Sequence, residues 1–215
     1  DPDTGFRNAI YINASYGLGE NIVKGFVNPD SFYIFKPSIG KHNAIISRKI
    51  GSKNVKLVYS GSKTRNVKVN ENARRRFCLQ DKEVEQLARY GMIIENHYRK
   101  PMDIEWAKDG KSKKLFIVQA RPETVHSSQD ANVFSEYVLY GHGKLLVDGR
   151  AVGQKIGAGK VNVIKNVKDI SEFQKGQVLV TEMTDPDWES IMKIAAAIVT
   201  DKGGSTSHAA IISRE

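Results

Sequence analysis

At 215 residues with 40% hydrophobic content, the chain is long enough for one large domain or two small ones and too apolar to remain disordered. Its net charge of +9 is concentrated: residues 41–76 hold eleven basic side chains and one acid, Glu71, a local excess that suits either an anionic partner or a solvated lysine-rich face. The longest apolar run, Ile194–Val199, excludes a membrane-spanning helix, and the lone Cys78 excludes an internal disulfide or a multi-cysteine zinc site. The start, Asp1-Pro2-Asp3, has no signal-peptide character, so a cytoplasmic location is expected.

Residues 9–14 read as a buried strand, broken by Tyr16-Gly17-Leu18-Gly19-Glu20. Phe32–Phe35 and Val55–Tyr59, rich in aromatic and β-branched residues, predict two more strands. Asp81 is placed as a helix N-cap. Behind it Val84, Leu87, Ala88, Gly91, Ile94 and Tyr98 keep helical spacing, and Pro101 stops the helix. Met102–Ala107 and Leu115–Arg121 flank a polar turn and predict a hairpin. Residues 126–136 lack periodicity and are placed as a linker. Beyond them, strands are expected near Val161–Ile164, Val178–Thr181 and Ala197–Thr200. A short helix is expected over Trp188–Ile194, and another begins at Ala209. The pattern is that of an α/β chain.

Two constellations carry chemistry. Gly203-Gly204-Ser205-Thr206-Ser207-His208 joins a strand to a helix start. Free backbone N–H groups and the positive dipole end there suit phosphate and a neutral, nucleophilic imidazole. Glycines 203 and 204 let the backbone approach such a group. A histidine that only caps a helix has the same spacing. The second constellation is the hairpin. Alternation puts Asp103 and Glu105 on one face and Gln119 and Arg121 on a shared face of the partner strand. Carboxylate and amide oxygens suit Mg²⁺, and Arg121 suits a bidentate phosphate contact. A salt-bridged edge hairpin would look alike. Tyr16, Tyr33 and Trp106 read as packing aromatics. His42, His97, His126 and His142 have no partner spacing.

The segment from Thr200 through Gly203-Gly204-Ser205-Thr206-Ser207-His208 to Glu215 resembles the phosphohistidine segment of the phosphoenolpyruvate-utilising enzymes. Pro101–Ala107 and Ile117–Val125 are similar to the end of that family's ATP-grasp domain. Ser15–Glu20 and Val27–Asp30 are also similar, and favour the family's synthase branch over its pyruvate, phosphate dikinases.

The resemblance implies that His208 carries a phosphoryl group on a swivelling β/β/α domain, with Gly203, Gly204 and Ser207 in the phosphoryl loop. It implies that Glu105 and Gln119 bind Mg²⁺ and that Arg121 contacts ATP phosphates. Glu20 is a possible nucleotide-site ligand or simply an acid at a helix start. Thr206 corresponds to a regulatory phosphorylation site, with a kinase and phosphorylase as partners.

The implied domains are 1–125, the C-terminal part of an ATP-grasp domain; 126–136, a linker; and 137–215, an incomplete phosphohistidine domain. On this reading the chain is a middle piece, inactive alone. A further ATP-grasp lobe would precede it and a phosphoenolpyruvate/pyruvate barrel would follow. The implied reaction converts ATP, pyruvate and water to AMP, phosphate and phosphoenolpyruvate. Another ATP-grasp and phosphohistidine enzyme, a pyruvate, phosphate dikinase or an antibiotic phosphotransferase, is the near alternative. A nucleic-acid module on residues 41–76 is the distant one, disfavoured because Tyr59 is the block's only evident stacking aromatic.

Overall fold

The structure is a computed structural model that describes residues 6–123, 137–141, 143–149, 151–153, 155–204 and 207–213. The linker expected at 126–136, and Ser205 and Thr206, lie outside the described residues. The fold is mixed α/β, in two compact units: residues 1–21 with 27–129, and residues 22–26 with 130–215.

β1 (Ala9–Ala14) is followed in sequence by the short α1 (Glu20–Val23), whose last two residues are counted with the second unit, and within the first unit β2 (Asp30–Phe35) runs antiparallel to β1 and to β3 (Ile45–Lys49). Alternation turns Ile12 and Ala14 of β1 and Phe32 and Ile34 of β2 into the core. A hairpin of β4 (Val55–Ser60) and β5 (Lys63–Lys68) turns at Gly61, whose φ of 62° is readily available only without a Cβ. After α2 (Glu71–Arg74), the long α3 (Asp81–Tyr98) buries Val84, Leu87 and Ala88 against the sheet. Each such Val or Leu stabilises by roughly 1.5–3 kcal/mol.

The cap of α3 lies one residue earlier than the sequence suggests. Gln80 is the N-cap and Asp81 the first helical residue. Glu83 reaches back to accept from the Gln80 backbone N–H at 2.9 Å, a capping box that Asp81 cannot make. Partial burial opposes ionisation of Glu83, but that N–H and the Lys108 ammonium win and hold its carboxyl below the ordinary glutamate range. The helix ends on Arg99 in the left-handed region, and Pro101 prevents resumption. The predicted hairpin follows as β6 (Met102–Lys108) and β7 (Leu115–Pro122). Trp106 packs on the core, and Tyr33 stacks at 4.7 Å on Tyr11, so both are packing aromatics as expected.

Sequence periodicity missed β3, β5, α1 and α2. The β5 sequence Lys-Thr-Arg-Asn-Val-Lys has one apolar residue, and its strand exists because β4 pairs with it along its whole length.

The basic block is not one solvated face. Lys53 is fully buried, its ammonium on the Asp30 carboxylate, which also accepts from the backbone N–H groups of Gly51 and Cys78, both at 2.8 Å. Arg48 pairs with Asp81, Arg75 with Glu71, and Arg74 donates to the Ser52 carbonyl. Burial, with the Asp30 carboxylate beside it, raises the Cys78 thiol far above its ordinary value, in keeping with a packed, unreactive side chain.

The second unit is a parallel sheet in the order β10-β9-β8, formed by β8 (Val161–Val163), β9 (Val178–Thr181) and β10 (Ala197–Thr200). Leu179 on the central strand is fully buried, over a core of Ile164, Phe173, Trp188, Ile191 and Met192. The expected helix over Trp188–Ile194 is instead a 3-10 turn, Pro186–Trp188, continuing into α4 (Glu189–Met192). Pro186 fits the opening turn because its missing N–H would have had no helical partner there. The chain then reaches β10, and α5 (His208–Ile212) follows.

Candidate active site: a hairpin face and a histidine loop

In the first unit, the β6–β7 register places Glu105 directly opposite Gln119 and Asp103 directly opposite Arg121. Asp103 and Glu105 point out of the sheet while Ile104 and Trp106 turn inward, as the alternation predicts. The Arg121 guanidinium donates from Nε at 3.0 Å and from Nη2 at 2.7 Å to one Asp103 oxygen. The pair is exposed, so it orients Arg121 more than it stabilises the fold.

The register slips between Glu105 and Trp106, which leaves Val118 as the extra residue beside the Glu105–Gln119 pair. Such bulges re-aim side chains at sites. Among the described residues no group of three or more His, Cys, Asp or Glu could hold a metal unaided. Two hard oxygens, one from Glu105 and one from Gln119, nevertheless fit Mg²⁺. That ion commonly takes one or two protein side chains and fills its shell with water and substrate phosphate. Asp103 was legible as sharing a face with Glu105, but its hold on Arg121 needed the register.

The glycine loop is anchored in the same unit. Gly17, at φ +83°, bridges to Leu57, and Leu18 donates to the Leu57 carbonyl at 2.9 Å. A Cβ on Gly17 would lie 2.4 Å from that oxygen, so only glycine fits. Glu20 is the exposed first residue of α1, away from the hairpin strands in sequence; its place here matches an acid at a helix start.

In the second unit, the histidine loop leaves the carboxyl end of β10. Thr200 of β10 is in register with Thr181 of β9, so the segments leaving both strands emerge side by side. Asp201 and Lys202 extend this pairing, donating to the carbonyls of Thr181 at 3.2 Å and Glu182 at 2.8 Å. The carboxyl edge of parallel strands is where open α/β sheets place ligands. Gly203 adopts φ +125°, and an added Cβ would sit 2.9 Å from Ser207 Oγ. Ser207, buried, is the N-cap of α5, and its N–H donates to the Gly204 carbonyl at 2.9 Å.

His208 is the first residue of α5, half-buried. Its Nδ1 lies 3.4 Å from Oγ1 of Thr184, a buried hydroxyl in the segment after β9. Nothing in the spacing of the sequence connects residues 184 and 208; the parallel β9–β10 pairing does. Nearby, Glu189 is held below the ordinary carboxylate range by its hydrogen bond to Lys193 and that residue's charge, with a smaller contribution from His208.

Residues 1–139 match the family model described as pyruvate phosphate dikinase, AMP/ATP-binding domain, and residues 173–215 match the PEP-utilising enzyme, mobile domain. Among curated proteins, the chain is 54% identical over its whole length to a phosphoenolpyruvate synthase of Synechocystis, 53% to one of Pseudomonas aeruginosa and 49% to one of Escherichia coli. It spans 28% of the length of each of these relatives. The first of the two models covers well over half of the residues, and the chain belongs to the pyruvate phosphate dikinase AMP/ATP-binding domain family.

Proposed function

We propose that the chain is the part of a phosphoenolpyruvate synthase that takes a phosphoryl group from ATP and carries it on His208. The carrying observation is the placement of His208 at the carboxyl edge of a parallel sheet, in the segment that matches the mobile-domain model. The relatives, similar over the entire chain, support the same reading. In the full-length protein the reaction would convert ATP, pyruvate and water to AMP, phosphate and phosphoenolpyruvate, with the phosphoenolpyruvate/pyruvate site on the part of the relatives that this chain does not span.

On this reading residues 1–125 are the C-terminal part of an ATP-grasp domain, 126–136 a linker and 137–215 a swivelling phosphohistidine domain. Glu105 and Gln119 hold Mg²⁺, which when bound neutralises charge on the phosphate oxygens. Arg121, aligned by Asp103, binds phosphate, and Glu20 approaches the nucleotide. Gly203, Gly204 and Ser207 admit the phosphoryl group to the loop. Thr206 is the regulatory position, where a phosphate of about −1.5 to −2 charge would repel the incoming group. The setting is cytoplasmic.

The test uses the full-length enzyme and ATP labelled at the β-phosphate. Wild type gains an acid-labile, base-stable label, and His208→Asn gains none, because asparagine can cap a helix but cannot carry phosphate. A labelled mutant overturns the reading.

A further inference from the structure

We propose that an open cavity at the carboxyl end of α3 binds a terminal phosphate group, free or esterified to a small molecule, through Arg7, Arg99 and Lys100.

The cavity has a volume of about 340 Å³ and lies within the first unit. Three parts of the chain build it. Arg7 and Asn8 lead into β1, Lys36 follows β2, and residues between 92 and 101 belong to the end of α3 and the chain leaving it. The Lys36 backbone N–H donates to the Asn8 carbonyl at 2.9 Å, which ties the first two parts together. The Lys36 ammonium donates to both Glu95 oxygens, at 2.8 and 2.6 Å, which ties them to the helix.

That ion pair also decides the charge of the cavity. Glu95 is the one acid among the described lining residues, and Lys36 neutralises it. Arg7, Arg99 and Lys100 remain, and none of the three meets a carboxylate among the described residues. Asp103, just beyond in sequence, is already engaged by Arg121. The negative end of the α3 dipole accounts for cations at the end of that helix, but not for Arg7, which arrives from ahead of β1.

Backbone conformation adds an independent observation. Arg99 closes α3 at φ 54° and ψ 32°, in the left-handed region where glycine or asparagine is favoured. A long cationic side chain is kept there against the preference of the backbone, and local strain of this kind accompanies function.

The donors select phosphate. A guanidinium is a planar fork that grips two oxygens of one anion. Two forks and an ammonium therefore match a group with three free oxygens, and a carboxylate offers only two. Asn96 lines the same wall and adds a neutral donor. The volume lies near the lower end of the roughly 300–1,000 Å³ found for ligand pockets, which suits a phosphate on a small molecule. Glu105, Gln119 and Arg121 do not line the cavity, so the proposal is independent of the reading of His208.

The test uses full-length enzyme without ATP. Equilibrium dialysis with labelled inorganic phosphate measures binding, and hydrogen exchange of peptides covering 81–101 locates it. In wild type and in Arg121→Ala, phosphate is expected to bind and to slow exchange at the end of α3. Arg99→Gly is expected to bind at least tenfold more weakly, the loss of one charge-assisted contact. Without phosphate its α3 should exchange no faster than that of wild type, because glycine suits the left-handed position. Arg7→Gln, on a different part of the chain, should lose a similar amount. Glycerol 2-phosphate should displace the label, and malonate should not.

Phosphate that fails to bind wild type, or binds Arg99→Gly normally, overturns the proposal. Faster exchange across α3 in Arg99→Gly without phosphate makes the arginine a structural cap, with the same result. Binding lost in Arg121→Ala but kept in Arg99→Gly assigns the phosphate to the hairpin instead. Displacement by malonate as readily as by glycerol 2-phosphate overturns the choice of phosphate.

Discussion

The hairpin face and the histidine loop hold their functional groups by opposite means. On the hairpin, Asp103, Glu105, Gln119 and Arg121 project, exposed, from an antiparallel ladder whose register sets them opposite one another, and Arg121 is bonded to Asp103 across from it. At the histidine loop, the groups sit beyond the ends of parallel strands and are fixed by burial, with Thr184 and Ser207 almost inaccessible. The first arrangement suits a partner that arrives with its own water and counter-ions. The second suits a group held away from solvent before any partner arrives. Precision thus comes from backbone register in one place and from a desolvated hydroxyl in the other.

That contrast can be broken by substitution in the full-length enzyme. The largest effect is expected for Glu105→Ala. Loading of His208 from ATP should fall on the order of a hundredfold, a loss of several kcal/mol of charge stabilisation. Loading from phosphoenolpyruvate should stay normal, and parallel losses in both directions would merge the two sites. Gly203→Ala comes next. Its φ of +125° and the 2.9 Å approach of Ser207 Oγ to an added Cβ impose strain of roughly 1–3 kcal/mol. Both loading reactions should slow together, read as labelling rates from either donor.

A smaller loss, about tenfold, is expected for Asp103→Asn, which releases the Arg121 guanidinium from its carboxylate. It should appear in the ATP reaction alone, and mostly in KM. Salt gives the smallest difference. Between 0.05 and 1 M (roughly a fourfold shortening of the screening length) the exposed Asp103–Arg121 pair weakens, and ATP loading should drop about two- to threefold.

The two regions also differ in how far the amino-acid sequence reveals them. The hairpin was legible because a period of two and a short polar turn place Glu105 near Gln119 before any tertiary information is used. Only the slip at Val118 and the Asp103–Arg121 bond needed coordinates. His208 was legible from the glycines and small hydroxyls ahead of it, yet Thr184 was not. Its contact spans 24 residues and depends on which strands lie side by side in a parallel sheet, which no local pattern encodes. The basic block misled for a related reason. Charge counting treats Lys53 as one more surface cation, whereas the Asp30 carboxylate lies 23 residues upstream and becomes its buried partner through folding. The start of α3 moved by one residue because Glu83 closes a capping box on Gln80, a choice decided by side-chain reach.

The β7 strand has a further consequence for handling the protein at high concentration. Among the described residues it pairs only with β6, in a two-stranded sheet, and Phe116, Ile117 and Val118 are exposed along it. An unpaired strand edge of this kind is a template for another strand, and consecutive bulky apolar residues make the added strand adhesive. Aggregation of this chain would therefore nucleate at 116–118 and propagate edge to edge. A lysine introduced at Val118, the bulged position outside the ladder, is the economical gatekeeper, because it interrupts the sticky run without touching any residue of the Glu105–Gln119 register.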